Sequence, residues 1–376
     1  MTPCLPEPPG LPVLGHLWHW TTNPLRLLEA GAGAGPVFRL RLWRPAVVGY
    51  SPDWNRAVLS DPETFRSQGS LSRLTPYLSA GVVHTDPPDH RPRRRRLNRH
   101  FGARALDPLR PRLDLIAAAS RPRGIFDARA WAAAVVRRML DDALFGGGVP
   151  DRLLARFLAP LDHALPVPML PRPLLFHRVD SAIARVLDDP PVDSVAARLA
   201  GDPEAVTDLR VALAAGYDTT SHTLAWAAWH LACRPSWRHP DRLQLLIDET
   251  LRMYPAGWLG SRVAAHDTTA AGVTLAAGTL VCYSPYLTHR DPALWPEPDA
   301  FRPDRFGTGR PDRWTYLPFA AGPRTCLGAQ LARLILTAAL TPFRGRPPRP
   351  LHGCPRPGTG ITLTPRGGLV LDAGAA

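Results

Sequence analysis

Residues 319–328 read Phe319-Ala320-Ala321-Gly322-Pro323-Arg324-Thr325-Cys326-Leu327-Gly328 and lead into a run with helical spacing, residues 329–340. Cys326 is read as a metal ligand. Gly322 and Gly328 let the backbone turn tightly and approach something flat and bulky, where a Cβ would clash. A helix that starts just after the sulfur points its free N–H groups and positive dipole end back at it, which favours thiolate over thiol. Amide hydrogen bonds to a metal-bound sulfur also tune the potential of the iron it holds. Phe319 shields one side of that sulfur, and Arg324 meets an anionic group of the cofactor. The ordinary role of a free cysteine at such a junction is that of a small buried hydrophobe. Its frame argues otherwise, because Cys4, Cys233, Cys282 and Cys354 have nothing similar around them.

These residues fill each fixed position of Phe-x-x-Gly-x-Arg-x-Cys-x-Gly, and they resemble the heme-binding loop of the cytochrome P450 family of heme-thiolate monooxygenases. The resemblance implies heme b with Cys326 as its axial thiolate. It also implies a mainly α fold with small β-sheets, the heme lying between a long kinked helix and the Cys loop, in a single domain over residues 1–376.

Composition is compatible with this. A chain of 376 residues with 45% hydrophobic content can bury a large core. The net charge of +13 comes with 45 arginines and no lysine, beside 44 prolines, which reads as a codon bias rather than a nucleic-acid signature. The 5 widely spaced cysteines give neither a disulfide framework nor a C-x-x-C motif, so a reducing cytoplasm fits. The N-terminal stretch has no basic region before a long apolar run, so no signal peptide or membrane anchor is expected. Residues 8–15, Pro-Pro-Gly-Leu-Pro-Val-Leu-Gly, resemble the proline-rich hinge that follows the anchor in membrane-bound relatives.

Upstream of the Cys loop, residues 208–233 form a long helical pattern with Ala214-Ala215-Gly216-Tyr217-Asp218-Thr219-Thr220 in its middle. Glycine, an acid and threonines are poor helix chemistry, and a mid-helix threonine can open the ladder, so a kink is expected. The run resembles the family's oxygen-activation motif. By that resemblance Gly216 leaves room above the iron, Thr219 hydrogen-bonds the bound dioxygen, and Asp218 relays protons.

Glu249 and Arg252 stand at i, i+3, suited to an ion pair. The pattern is weak, because Glu63 and Arg66 repeat it. Position favours Glu249, which precedes Met253-Tyr254-Pro255 as in the family; Arg305 in Pro303-Asp304-Arg305-Phe306 would complete a buried network with it. In residues 85–101, His90 and Arg94 share a helix face, and the run resembles the family's Asp-Pro-Pro-x-His-x-x-x-Arg segment, whose His and Arg bind heme propionate. The neighbouring Arg91, Arg93 and Arg96 read as a solvated face or, more sharply, as a dock for an acidic ferredoxin. Arg262 is a further propionate candidate, on a strand expected beside the heme.

Residues 35–51 read as a hairpin turning near Arg44-Pro45, residues 53–60 as a short helix, and residues 65–83 as a loop that roofs the substrate pocket in the family. Residues 108–199 are helical, broken by Gly146-Gly147-Gly148 and by the proline-rich stretch 160–173. Residues 273–283 and 360–371 read as hairpins, the latter with its tip near Ile361 and Thr362. The candidate pocket residues Leu78, Val82, Leu213, Tyr217, Trp258, Leu259 and Ile361 are mostly apolar, which favours a lipophilic substrate such as a terpenoid or polyketide of secondary metabolism.

The expected reaction is insertion of one atom of O2 into a C–H or C=C bond. Electrons are expected from NAD(P)H through ferredoxin reductase and ferredoxin, the enzyme being a cytoplasmic monomer with no nucleic-acid partner. Alternatives are a peroxide-driven or C–C coupling member of the family, a heme-binding sensor without turnover, or a nucleic-acid binder using residues 91–99.

Overall fold

The computed structural model describes residues 5–71, 76–78, 80–162, 169–170 and 172–374. Cys4, Leu74 of the expected roof loop, and much of the proline-rich stretch 160–173 lie outside them. The helices are α1 (Leu17–Thr22), α2 (Pro24–Ala32), α3 (Pro52–Ser60), α4 (His90–Phe101), α5 (Ala103–Leu106), α6 (Arg110–Ala119), α7 (Ala128–Phe145), α8 (Asp151–Leu158), α9 (Pro173–Asp188), α10 (Val195–Leu199), α11 (Ala205–Cys233), α12 (Pro240–Met253), α13 (Pro285–Thr288) and α14 (Ala329–Leu340). The strands are β1 (Val37–Arg41), β2 (Pro45–Gly49), β3 (Phe65–Arg66), β4 (Ile125–Asp127), β5 (Gly260–Ala264), β6 (Thr268–Ala270), β7 (Val273–Leu275), β8 (Leu280–Tyr283), β9 (Arg349–His352), β10 (Pro357–Thr359), β11 (Leu363–Pro365) and β12 (Val370–Asp372). The protein is mainly helical with small sheets.

Local chemistry sets many of these boundaries. Ser51 caps α3 by accepting the Trp54 N–H at 3.2 Å, with Pro52 at the first helical position. Asp127 caps α7 by accepting the Ala130 N–H at 2.9 Å, and Gly146 ends that helix in the left-handed region at φ 61°. The first hairpin forms as expected, β1 against β2.

The later strands depart from expectation. Residues 273–283 are not one hairpin: β7 pairs with β6, while β8 enters the main sheet, parallel to β2 and antiparallel to β5. The main sheet therefore has the order β1-β2-β8-β5-β3, and its last strand is the start of the segment expected to be loop. Gly278, at φ 77°, turns the chain between β7 and β8. The closing hairpin is β10 with β11, shorter than expected, although its tip is at residues 360–362; β12 joins β4 and β9 instead.

The largest core gathers around α11, which is buried along most of its 29 residues and packs against α7, α9, α12 and α14. Its backbone is helical from end to end. Where the ladder was expected to open, the hydroxyls of Thr219, Ser221 and Thr223 donate to the carbonyls of Ala215, Tyr217 and Thr219, one turn back. Such back-bonding bends a helix without breaking it.

Candidate active site

The Cys loop is shaped by left-handed backbone at two positions and held by a backbone hydrogen bond. Ala320 and Gly322 both have positive φ, 55° and 74°. A Cβ on Gly322 would collide with the Leu59 carbonyl, so glycine is required there by α3. The Cys326 N–H donates to the Phe319 carbonyl at 2.8 Å, closing the loop. Helix α14 begins at Gly328 without a side-chain cap. The N–H groups of Gly328 and Ala329 turn to the Cys326 sulfur and lower its pKa, as does the Arg94 charge, though burial outweighs them and pushes the thiol up. The sulfur's accessible surface faces an internal cavity while protein encloses it elsewhere, which reconciles an exposed cysteine with that burial.

That cavity, of about 500 Å³, lies between α11 and the Cys loop. Phe319, Arg324, Cys326 and Gly328 line it from the loop side. Gly216 and Thr219 line it from α11, Arg94 from α4 and Arg262 from β5. Gly216 serves helix packing as well, because a Cβ there would press on Leu140 of α7 at 3.1 Å. A second, open and polar groove of about 710 Å³, bordered by Arg66, Asp86 and Asp89, contains none of the predicted site residues.

Positive charge converges on one wall. His90 is buried, and desolvation with the charges of Arg324, Arg94 and Arg262 pushes it down to about 4, so it is neutral at physiological pH. It stands beside these arginines but does not itself line the cavity. Arg324 donates to the Thr85 carbonyl at 2.9 Å and pairs with Asp86. Burial, then the Arg262 charge, lowers it to about 10, and its Nε is buried without a partner. Arg94 donates to Asn98 at 2.7 Å, and Arg262 donates to the Ser261 carbonyl at 2.7 Å.

Heme is the group whose fit these residues test. Gly328 and Gly257 face open space, with no protein atom within 4 Å of an added Cβ, and both line the cavity. A sulfur with amide donors, three arginines of which Arg324 keeps an unpaired N–H, and otherwise apolar walls suit a flat, anionic, metal-bearing ring. Among the described residues no group of three or more His, Cys, Asp or Glu could hold a metal ion.

The structure regroups several predicted residues. Leu78, Val82, Trp258, Leu259 and Ile361 line the cavity as expected, but Leu213 and Tyr217 do not. They occupy the next face of α11, where the Tyr217 hydroxyl donates to Asp162 at 2.9 Å. The face that does line it holds Leu209, Ala212, Ala215, Gly216, Thr219 and Thr223, a periodicity that could have been counted from Thr219. Asp218 is buried and turned from the cavity. Arg93 and Arg96, expected as a free face or ferredoxin dock, are internal: Arg93 pairs with Asp208 at 2.6 Å, and Arg96 with Asp208 at 2.7 Å and Glu204 at 2.8 Å. They tie α4 to the start of α11; Arg91 remains exposed.

Behind the loop, Glu249 and Arg252 are fully buried and bonded at 2.7 and 2.8 Å, and Arg305 reaches Glu249 at 3.2 Å. The decoy Glu63–Arg66 pair also forms, at 3.1 Å, but with Glu63 69% exposed.

Comparison with known proteins gives one result. A family model described as Cytochrome P450 matches residues 241–343. Cyclooctatin synthase of Streptomyces melanosporofaciens is 28% identical, over 95% of this chain and 93% of that protein. The solved structure of CYP175A1 from Thermus thermophilus superposes with a TM-score of 0.79 at 26% identity, over 95% of this chain and 96% of that one. A retinoic acid-bound cyanobacterial protein, CYP120A1, reaches a TM-score of 0.85 at 22% identity, over 99% of both chains.

Proposed function

The chain belongs to the cytochrome P450 family and is a monooxygenase, and from that premise we propose that it oxygenates a lipophilic small molecule, working as one domain over residues 1–376. The observation that carries this reading is the cavity itself: Cys326 with its amide donors on one side, Thr219 and apolar residues on the other.

In this reading heme b supplies, when bound, a redox-active iron that activates dioxygen with electrons from NAD(P)H. Cys326 would hold that iron through its sulfur, and the N–H groups of Gly328 and Ala329 would moderate how much charge the sulfur gives away. Phe319 walls that side. Arg94, Arg262 and Arg324, which line the cavity, would meet the carboxylates of the ring, and neutral His90 behind them adds no further charge. The hydroxyl proton of Thr219 is given to the Ala215 carbonyl at 2.7 Å, so toward the cavity its oxygen offers lone pairs and holds a proton donor in place. Asp218, next in the chain, relays protons to that position. Leu209, Val82 and Ile361 exclude water and select apolar substrates.

Two likenesses support a lipophilic substrate: one relative is named for cyclooctatin, and one structure of like fold holds retinoic acid. A terpenoid or polyketide of secondary metabolism is the class proposed. Ferredoxin and its reductase are the proposed electron donors, with the protein a cytoplasmic monomer; no described helix is long and apolar enough to cross a membrane.

The test is the absorption spectrum of the reduced protein under carbon monoxide beside Cys326→Ser. A strongly red-shifted Soret band, lost in the variant, is expected. A band typical of His-ligated or neutral-thiol heme would overturn the assignment of Cys326.

A further inference from the structure

Asp218 is 4% exposed, and neither of its carboxylate oxygens has a hydrogen-bond partner. A buried carboxylate in that state is costly, and an adjacent proton or cation relieves the cost. Among the described residues the basic group paired with it is His222, one turn further along α11, with Nδ1 3.3 Å from Oδ1. His222 is itself 4% exposed. The same Nδ1 lies 2.8 Å from the hydroxyl of Thr362, at the tip of the β10–β11 hairpin. Thr362 is 2% exposed and follows Ile361, which lines the cavity. The neighbouring hydroxyl, on Tyr217, is directed to Asp162 and does not serve Asp218. One imidazole nitrogen thus stands between a carboxylate that accepts no hydrogen bond, on the central helix, and a hydroxyl on the hairpin that reaches the cavity.

We propose that His222 is a proton-holding residue that acts through Asp218, with Thr362 positioning its ring; this rests on the role given to Asp218 and Thr219 above. In the transfer the N–H bond at Nδ1 of the imidazolium breaks and an O–H bond forms at Oδ1 of Asp218. The ring becomes neutral and the carboxylate becomes the acid, with nothing oxidised or reduced. Before transfer Nδ1–H donates to Thr362, which keeps that edge of the ring between the hairpin and Asp218. The hairpin therefore contributes apolar contact through Ile361 and proton control through Thr362.

The holoenzyme is compared with His222→Gln, Thr362→Val and Asp218→Asn. The Asp218 carboxyl stretch, identified in infrared spectra by its loss in Asp218→Asn, is expected to shift in His222→Gln and to shift less in Thr362→Val. Heme content and the reduced carbon monoxide spectrum stay as in the parent. With NAD(P)H, a ferredoxin and its reductase, His222→Gln is expected to release several-fold more peroxide per NAD(P)H and to show a larger solvent isotope effect on dioxygen consumption. A parental infrared band and parental peroxide release in His222→Gln would overturn the proposal. If Asp218→Asn leaves peroxide release unchanged, the underlying role of Asp218 fails and the proposal falls with it. If Asp218→Asn raises it and His222→Gln does not, His222 alone is excluded. Should His222→Gln not hold heme, Thr362→Val decides: a shifted band with raised peroxide supports the proposal, and parental values sink it.

Discussion

The backbone N–H of Leu317 donates to Nε2 of His289 at 2.8 Å, just before the Cys loop begins. The other ring nitrogen of His289 meets the Arg252 carbonyl at 2.9 Å. Nδ1 therefore carries the proton and Nε2 accepts, so the neutral ring links the end of α12 to the loop that presents Cys326. Burial is the main cause that lowers its pKa from 6.5 to about 3.

That linkage sets an acid response. Above the ordinary value of 6.5 both folded and unfolded chains hold neutral His289, and its contribution to stability is complete. As the pH falls below 6.5 the unfolded chain takes up a proton that the folded one refuses, and stability declines until about pH 3. His230, held near 3 by burial, and His90, held near 4, add in the same direction. In denaturant titrations between pH 7 and 4 the parent loses stability steadily, and His289→Gln is expected to lose it with a slope smaller by up to about one proton. Equal slopes would show that His289 is not linked to folding.

Glu249 and Glu63 share the Glu-x-x-Arg pattern but should differ in how much their removal costs. Glu249→Ala strands buried Arg252, and the loss is expected to be about 3–5 kcal/mol, seen as misfolded or heme-free protein. Glu63→Ala removes a largely exposed partner and should change stability by less than about 1 kcal/mol. Thermal denaturation and heme content of both variants check this; normal heme in Glu249→Ala would refute it.

These residues show what a sequence makes legible. The Cys loop, the Glu249–Arg252 pair and the Gly216 to Thr220 run are local patterns, and their geometry follows from spacing along one segment. Partners distant in sequence are not carried by spacing. Nothing near Arg93 or Arg96 announces Asp208, more than a hundred residues away, so a paired face read as a free one. The exchange of partners by β7 and β8 depends on β2, which no pattern in residues 273–283 records. Nothing in the spacing around His222 records Thr362, which the hairpin places against it from 140 residues away. Leu213 and Tyr217 are a different case, since counting from Thr219 would have put them off the cavity face.

The corrected face of α11 gives a test by steric block. Ala212→Phe places a ring in the cavity and is expected to weaken binding of lipophilic ligands, read from heme spectral shifts, by about tenfold or more, with heme retained. Tyr217→Phe removes only the bond to Asp162 and should leave those shifts as in the parent. The reverse ranking would restore the discarded face.

Arg93 and Arg96 are expected to act on stability before they act on any partner. Asp208 is 6% exposed and holds both guanidinium groups, so Arg96→Ala with Arg93→Ala leaves it buried and unpaired. A loss of about 3–5 kcal/mol is expected in equilibrium unfolding. Arg91→Glu, on the exposed side of α4, should leave stability within about 0.5 kcal/mol. If the double variant unfolds like the parent, the pairs contribute nothing and the arginines are open to another role.

Asp141, near the end of α7, runs the other way with pH. Burial raises its pKa from 3.8 to about 6, the Val149 N–H opposes this, and the charges of Asp142 and Asp151 reinforce it. Below 3.8 it is protonated in both states and costs nothing. Between 3.8 and 6 the unfolded chain ionises where the folded chain resists, so stability falls as pH rises through that window and stays lower above it. Asp141→Asn keeps an oxygen for Val149 and removes the charge. It should stabilise the protein by about 1–2 kcal/mol at pH 7.5 and by much less at pH 4. Unfolding curves at both values decide it: a gain that is equal at the two pH values would mean that packing, and not the buried charge, is what the substitution changed.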